Sequence, residues 1–320
     1  MVEKKNLRIV YMGTPDFAVE ALRCLVEGGY NVVGVITMPD KPAGRGHHMF
    51  QSPVKVYAVE HDIPVLQPVR LKDENFIKQL QAINAPLFVV IAFRMLPEVV
   101  WQMPPLGTFN LHGSLLPKYR GAAPINWAVM NGETETGVTT FFLQHEIDTG
   151  DIIDRVSLQI GPDENVGSVH DRLMALGASL TVKTVEAIEA GTLTTTPQKE
   201  LTGHQEPTPA PKIFKETCRI DWSREARAVH NHVRGLSPYP AAWSMLDSAM
   251  IKIFATNLNP EGAPSNLGPS SYVVINGTRL FVGCSDKAIE VLEVQPQGKR
   301  RMTTADYLRG ARIPAEGQFE

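Results

Sequence analysis

The run Leu87-Phe88-Val89-Val90-Ile91-Ala92 decides the fold. All of its residues are apolar, so it lacks the polar alternation of a strand with one wet face. It is too short for an ordinary helix, and its β-branched and aromatic side chains favour a pleated strand. A strand buried on both faces belongs inside a parallel sheet, and parallel strands need crossovers long enough to hold a helix. The flanking sequence supplies such units. Residues 7–12 read as a strand ending at Gly13-Thr14-Pro15. Asp16 then opens a helix-like stretch over 17–27, with Ala18, Leu22, Leu25 and Val26 on one face. Further strands are expected over 31–37, 64–66, 108–111 and 138–143, and helices over 54–60, 73–83 and 166–190. This alternation predicts an α/β domain on a mostly parallel sheet covered on both sides.

The chain has 320 residues, enough for about two domains. Apolar residues make up 43% and charged residues 20%, which excludes a disordered chain and supplies a substantial core. A formal net charge of −3 excludes a globally basic nucleic-acid binder while leaving room for a local basic patch. The apolar runs are far shorter than a membrane span, and Met1-Val2-Glu3-Lys4-Lys5-Asn6 has no signal-peptide pattern. A cytoplasmic protein without membrane contact is therefore expected. Cys24, Cys218 and Cys284 are isolated and odd in number, giving neither a disulfide framework nor zinc-ligand spacing, and no metal is expected.

Composition changes at 197–211, where Pro197, Pro207, Pro209 and Pro211 stand among Thr, Gly and Gln. This stretch reads as a linker between a first domain over 1–196 and a second over 212–320. Beyond it come one helix over 223–234 and short strands near 241–246, 251–256, 271–275, 280–282 and 289–294. That pattern suggests a small β-barrel or sandwich.

The densest group of chemically able side chains lies between Asn110 and Asp151. Asn110 and His112 end a strand two residues apart, so their side chains share a face. Open α/β sheets bind ligands at the carboxyl ends of their strands. Asp148 follows another strand, in a loop with Gly150. An amide donor and a protonated imidazole can both stabilise the oxyanion of an acyl transfer. A carboxylate can orient the imidazole and take a proton from an attacking amine. The amine is its own nucleophile, so no Ser or Cys is needed. Each residue also has a plain structural reading. A strand histidine is more often a satisfied core residue, and an Asp before Thr-Gly more often closes an Asx-turn.

The segment Asn110-Leu111-His112-Gly113-Ser114-Leu115-Leu116-Pro117, with Tyr119-Arg120-Gly121-Ala122-Ala123-Pro124 and Asp148-Thr149-Gly150-Asp151, resembles the folate-dependent formyltransferases. Met12-Gly13-Thr14-Pro15-Asp16-Phe17, Asp40-Lys41-Pro42-Ala43-Gly44-Arg45-Gly46, Ser52-Pro53-Val54-Lys55, Ile220-Asp221-Trp222 and Gln295-Pro296-Gln297-Gly298-Lys299 extend the resemblance over essentially the whole chain. They are similar to the members that act on methionyl initiator tRNA. The resemblance implies a Rossmann-like parallel-sheet N-terminal domain joined to a C-terminal OB-like β-barrel domain. It also implies transfer of a formyl group from 10-formyltetrahydrofolate to the α-amine of methionine esterified on initiator tRNA. By the same resemblance Asn110 and His112 stabilise the oxyanion, Asp148 tunes His112 and assists amine deprotonation, and Ser114, Leu115, Leu116 and Pro117 line the folate site. Two stretches depart from the family pattern. Phe93-Arg94 stands where Tyr-Gly is common, and Gln144-His145-Glu146 precedes Ile147-Asp148 where an Asp and a Gly are usual. His145 is expected at the surface.

The stretch 39–51 is Gly-rich and basic but has no Walker pattern. On its own it reads as a surface loop. In the resembling enzymes the insertion enters the acceptor-stem groove, which implies roles for Lys41 and Arg45. Lys212, Lys299, Arg300 and Arg301 would add backbone contacts that depend on salt. A monomer is expected. A sugar-amine formyltransferase, a 10-formyltetrahydrofolate hydrolase and a noncatalytic tRNA-binding protein are the competing readings.

Overall fold

The computed structural model describes residues 6–43, 48–202, 207–311 and 313–320. In chain order the first elements are β1 (Arg8–Gly13), α1 (Asp16–Glu27), β2 (Asn31–Ile36), β3 (Lys41–Ala43), β4 (His48–Phe50), α2 (Pro53–Glu60), β5 (Val65–Leu66), α3 (Glu74–Ile83) and β6 (Leu87–Ile91). There follow α4 (Glu98–Trp101), β7 (Thr108–His112), β8 (Arg120–Gly121), α5 (Pro124–Met130), β9 (Glu135–Phe142), β10 (Ile152–Gln159), α6 (Val166–Glu189), α7 (Gln198–Thr202) and β11 (Pro209–Ala210). The chain forms two compact units. One comprises Met1–Gly121, Gly137–Leu158 and His170–Pro209, and the other Ala122–Thr136, Gln159–Val169 and Ala210–Glu320.

The first unit is organised by a seven-stranded sheet in the order β10-β9-β7-β6-β1-β2-β5. The β1–β2, β1–β6, β2–β5 and β6–β7 pairs are parallel, and β7–β9 is antiparallel. β6 is central, and all five of its residues are buried, as its continuous apolar run requires. Its alternate residues Phe88 and Val90 join Val10 and Met12 of β1 in one core cluster, closed by Phe76 and Leu80 of α3. The opposite face carries α1 and α6. Tyr11 donates its hydroxyl to the Ala18 carbonyl. Gly177 lets α6 approach β7 so closely that a Cβ there would stand 2.6 Å from Leu111 Cδ2. The helix starts follow their caps. Ser52 accepts from the Lys55 amide at 3.1 Å, and Asp73 from the Phe76 amide at 3.0 Å.

From β1 the chain winds outward through β2 to β5, then returns to β6 on the other side of β1. The order therefore reverses between β1 and β6, and the carboxyl ends of β1, β6 and β7 flank that switch point.

In the second unit a 3₁₀ turn (Glu216–Cys218) precedes α8 (Ala226–Leu236). The rest comprises β12 (Ala242–Leu246), β13 (Ala249–Asn257), β14 (Ser271–Ile275), β15 (Arg279–Gly283), β16 (Ala288–Pro296), β17 (Met302–Thr303), α9 (Thr304–Gly310) and β18 (Glu316–Gln318). The strands form an antiparallel sheet in the order β12-β13-β16-β15-β14-β18, with β17 beside β16. The sheet is curled, and its ends meet. Met245 and Glu320 exchange backbone hydrogen bonds of 3.2 and 3.0 Å, which joins β12 to the residues after β18. Buried Trp222 donates to Ser244 Oγ at 3.0 Å, and that hydroxyl donates to the Glu320 carbonyl at 3.0 Å. The expected α/β plus OB-like architecture is what the structure has.

Several elements differ from the sequence reading. α8 begins three residues later than expected, because the Asp221 carboxylate accepts from Ser223 and holds a turn ahead of the helix. β10 was not anticipated. It is an edge strand whose Asp154, Arg155, Ser157 and Gln159 interrupt any apolar run. β18, Glu-Gly-Gln, carries no apolar residue at all. The stretch 197–211 holds α7 and β11, and β11 pairs with β8.

Phe88 is 1% exposed in the central cluster, whereas Val69 is 77% exposed. Phe88→Ala is expected to destabilise the protein by about 3–5 kcal/mol in urea unfolding, from lost burial and the cavity left. Val69→Ala should stay within about 0.5 kcal/mol. Similar losses at both positions would contradict this placing of the core.

Candidate active site

β7 delivers His112 to the carboxyl edge of the sheet. Period two puts Thr108, Asn110 and His112 on one face and Leu111 on the other, against α6. The imidazole is 6% exposed and meets the Phe141 ring edge-on, with centroids 6.4 Å apart. Nε2 lies 2.8 Å from the Tyr119 carbonyl oxygen. A carbonyl only accepts, so Nε2 carries a hydrogen and is committed to this bond. The ring nitrogen left for other partners is Nδ1, and Asp148 Oδ2 stands 3.8 Å from it.

Asp148 sits in the loop between β9 and β10. The loop's neck is closed by the Phe142 amide, which donates to the Asp151 carbonyl at 3.1 Å. Gly150 makes that closure possible, since a Cβ there would fall on the Phe142 carbonyl oxygen. Asp148 itself has φ +55°, a left-handed conformation that Asp tolerates better than most residues. Its carboxylate does not cap its own turn. Oδ2 instead accepts the Gly121 backbone N–H at 3.0 Å. A single backbone run, Tyr119 to Gly121, thus fixes the imidazole through a carbonyl and the carboxylate through an amide.

Asn110 has a buried Oδ1 without a hydrogen-bond partner, and Thr14 Oγ1, just past β1, is in the same condition. Buried amide and hydroxyl groups are costly to leave unpaired. Two such atoms stand just past β1 and on β7, among the eight recorded in the described residues.

The remaining residues anticipated for binding are placed as follows. Ser114 is buried and donates its hydroxyl to the Lys118 carbonyl at 2.7 Å, closing its own turn. Its carbonyl accepts from the Thr139 hydroxyl at 2.7 Å, and the Leu116 amide donates to the same hydroxyl at 3.1 Å. Leu116 packs with Phe141 and Ile152, Pro117 is buried, and Leu115 is half-buried. The 114–117 turn is thus rigid, and Leu115 is its most accessible side chain. Lys41 is exposed on β3, and Arg45 lies outside the described residues. In the second unit Lys212 is exposed with Nζ 5.5 Å from the Phe214 ring centroid, and Lys299 and Arg300 are exposed. Arg301 pairs with Glu293 and lies 4.3 Å from the Phe254 ring centroid. Arg94 donates to the Val69 carbonyl at 2.9 Å and to the Pro68 carbonyl, tying the turn after β6 to the segment after β5. Gln144, His145 and Glu146 are exposed. Among the described residues no group of three or more His, Cys, Asp and Glu is placed to hold a metal ion, and no helix is long and apolar enough to cross a membrane.

The Tyr119 carbonyl and the Gly121 amide, which hold His112 and Asp148, were not among the residues expected from the sequence. Backbone groups carry no residue signature. The only available signal was the presence of Tyr119-Arg120-Gly121 in the resembling segment.

Residues 6–185 match the family described as formyl transferase, and residues 212–312 match formyl transferase, C-terminal domain. The chain belongs to the formyl transferase family. A methionyl-tRNA formyltransferase of Bacteroides fragilis is 58% identical, with 97% of this chain and 96% of that protein covered. One from Bacteroides thetaiotaomicron is 57% identical, with 98% of each covered. The fold is also that of WlaRD, a sugar 3N-formyl transferase solved in the presence of dTDP and 5-N-formyl-THF. That structure has a TM-score of 0.66 at 18% identity, covering 92% of this chain and 100% of that one.

The bond from His112 to Tyr119 makes a spectroscopic prediction. Ring ¹⁵N spectra of the neutral imidazole are expected to show the Nε2–H tautomer of His112, and that tautomer should persist in Asp148→Asn even though the resonances shift. A dominant Nδ1–H tautomer would contradict the geometry.

Proposed function

We propose that the protein transfers the formyl group of 10-formyltetrahydrofolate to the α-amino group of methionine carried on initiator tRNA. The observation that carries this reading is the placement of His112 Nδ1 beside Asp148 Oδ2, at a strand end that also bears Asn110, whose buried Oδ1 has no partner among the described residues. The acceptor follows from near full-length likeness to methionyl-tRNA formyltransferases. The folate donor is supported by family membership and by the like-folded WlaRD, solved with 5-N-formyl-THF.

The reaction joins the amine nitrogen to the formyl carbon, breaks the bond from that carbon to the folate nitrogen, and moves a proton from the amine to the departing nitrogen. Negative charge gathers on the formyl oxygen in between. The Asn110 NH₂ donates to that oxygen. Protonated His112 donates from Nδ1, since Nε2 is held by Tyr119. The Asp148 carboxylate offsets the imidazolium charge and accepts the amine proton, directly or through one water. Because the Gly121 amide occupies part of Oδ2, the carboxylate keeps its orientation during the transfer. Loss of one oxyanion donor costs about 3–4 kcal/mol in barrier.

Lys41 and Arg45 are assigned to the acceptor stem, and Lys212, Lys299 and Arg300 to phosphates. The ion pair with Glu293 leaves Arg301 less of its charge to offer. Ser114 to Pro117 is assigned to the folate wall, with Leu115 the side chain able to touch the ligand.

The deciding assay incubates the protein with 10-formyltetrahydrofolate and methionyl initiator tRNA and follows formylmethionine. Turnover of a dTDP-amino sugar or of water instead, with none on the tRNA, would reject the assignment. His112→Ala is expected to lower kcat by about 10²–10⁴-fold with tRNA Kd unchanged. Parallel loss of tRNA binding would contradict a role confined to chemistry. In salt titrations of tRNA binding, Lys299→Ala and Arg300→Ala should each reduce the log–log slope by close to one, and Arg301→Ala by less. An Arg301 effect equal to the other two would remove the distinction drawn from Glu293.

A further inference from the structure

Gln198 opens α7 inside the stretch whose composition reads as a linker, yet it is only 2% exposed. Its Nε2 donates to two carbonyls of the β9–β10 loop, Asp148 O at 2.9 Å and Gly150 O at 2.8 Å. Its Oε1 accepts from Arg120 twice, from Nε at 3.0 Å and from a terminal nitrogen at 2.7 Å. The amide orientation is fixed by its neighbours, because two carbonyls can only accept and a guanidinium can only donate. Both donors and the acceptor oxygen of the side chain are thereby used. Glutamate could pair with Arg120 but would turn a second oxygen toward the two carbonyls. A shorter or apolar side chain would leave both carbonyls and the guanidinium unpaired in a buried place.

The contacts converge on the catalytic pair. Arg120 directly precedes Gly121, whose N–H holds the Asp148 carboxylate. Tyr119, whose carbonyl holds His112, donates its own N–H to the Thr208 carbonyl at 2.6 Å. Upstream, Thr196 and Ile152 exchange backbone hydrogen bonds of 2.8 and 2.9 Å, which lays the segment along the start of β10 and puts Gln198 beneath the loop. Apart from these bonds, the loop is held by the Phe142–Asp151 hydrogen bond at its neck, the Gly121 amide on the Asp148 carboxylate, and the Thr149 hydroxyl on the Glu146 carbonyl.

We propose that Gln198, bridged to Arg120, is a positioning residue for Asp148, and that the segment after α6 is part of the catalytic scaffold. The kinetic arm of the test rests on the formyl-transfer reading, whereas the spectroscopic arm does not. Gln198→Leu is expected to lower kcat about 10–100-fold, with KM for both substrates within about twofold. In an Asp148→Asn background the same change should alter kcat less than about twofold, since the residue it positions is already lost. In ring NMR the His112 resonances of Gln198→Leu should move to where Asp148→Asn places them. Equal losses in both backgrounds, a change in KM alone, or His112 resonances like those of the unsubstituted protein would each overturn the proposal. Should the leucine variant fail to fold, Gln198→Glu, which keeps the Arg120 pairing, carries the same readings. If the unsubstituted protein does not formylate methionyl-tRNA, that reading fails, and the His112 resonances still decide the brace.

Discussion

The bond from His112 Nε2 to the Tyr119 carbonyl governs what the rest of the site can be. It occupies one ring nitrogen and sets the tautomer, so Nδ1 is the ring atom left for other partners. Everything nearby is arranged around that remaining atom. Asp148 faces it, Asn110 shares its strand face, and Phe141 closes the ring's edge. A histidine free at both nitrogens could turn or exchange tautomers. This one presents a single group in a single direction, as the proposed stabilisation of a developing charge requires.

The sheet supplies the coarse placement. The reversal of strand order beside β6 opens the carboxyl edge, and the apolar core beneath gives that edge a rigid floor. Fine placement comes from irregular backbone. Tyr119 to Gly121 orients imidazole and carboxylate together, so a shift in that run would move both partners and preserve their spacing. A strand side chain and a loop side chain are thus referred to one common support.

Much of this architecture was legible in the chain. Continuous apolar runs such as 87–92 marked the buried strands, and Asp16 marked a helix start. Elements without such signals were missed. β10 alternates polar residues at a sheet edge, and β18 has no apolar residue to report burial. In the candidate site, the three side chains were singled out by residue type and spacing together with the family resemblance. The carbonyl and the amide that aim them were not. Gln198 illustrates the same limit. A glutamine among prolines and threonines suggests solvent, whereas here its hydrogen-bonding capacity is met by protein groups, so burial costs little.

Three of the non-glycine residues with positive φ stand around the site, the others lying elsewhere in the chain. Ala92, just past β6, has φ +47°, Tyr119 has φ +60°, and Asp148 has φ +55°. Each is a non-glycine residue in the left-handed region, at a cost of about 1–2 kcal/mol apiece. They stand at the end of β6, at the support of His112 and at the loop of the carboxylate. Glycine at any of them would relieve the strain, but it would also widen the range of conformations the loop can take. A side chain with a Cβ, forced into the left-handed well by surrounding hydrogen bonds, has few alternatives to visit. At Asp148 those bonds come from Gly121 on one side and Gln198 on the other, so the strain there is the counterpart of a carboxylate that does not wander.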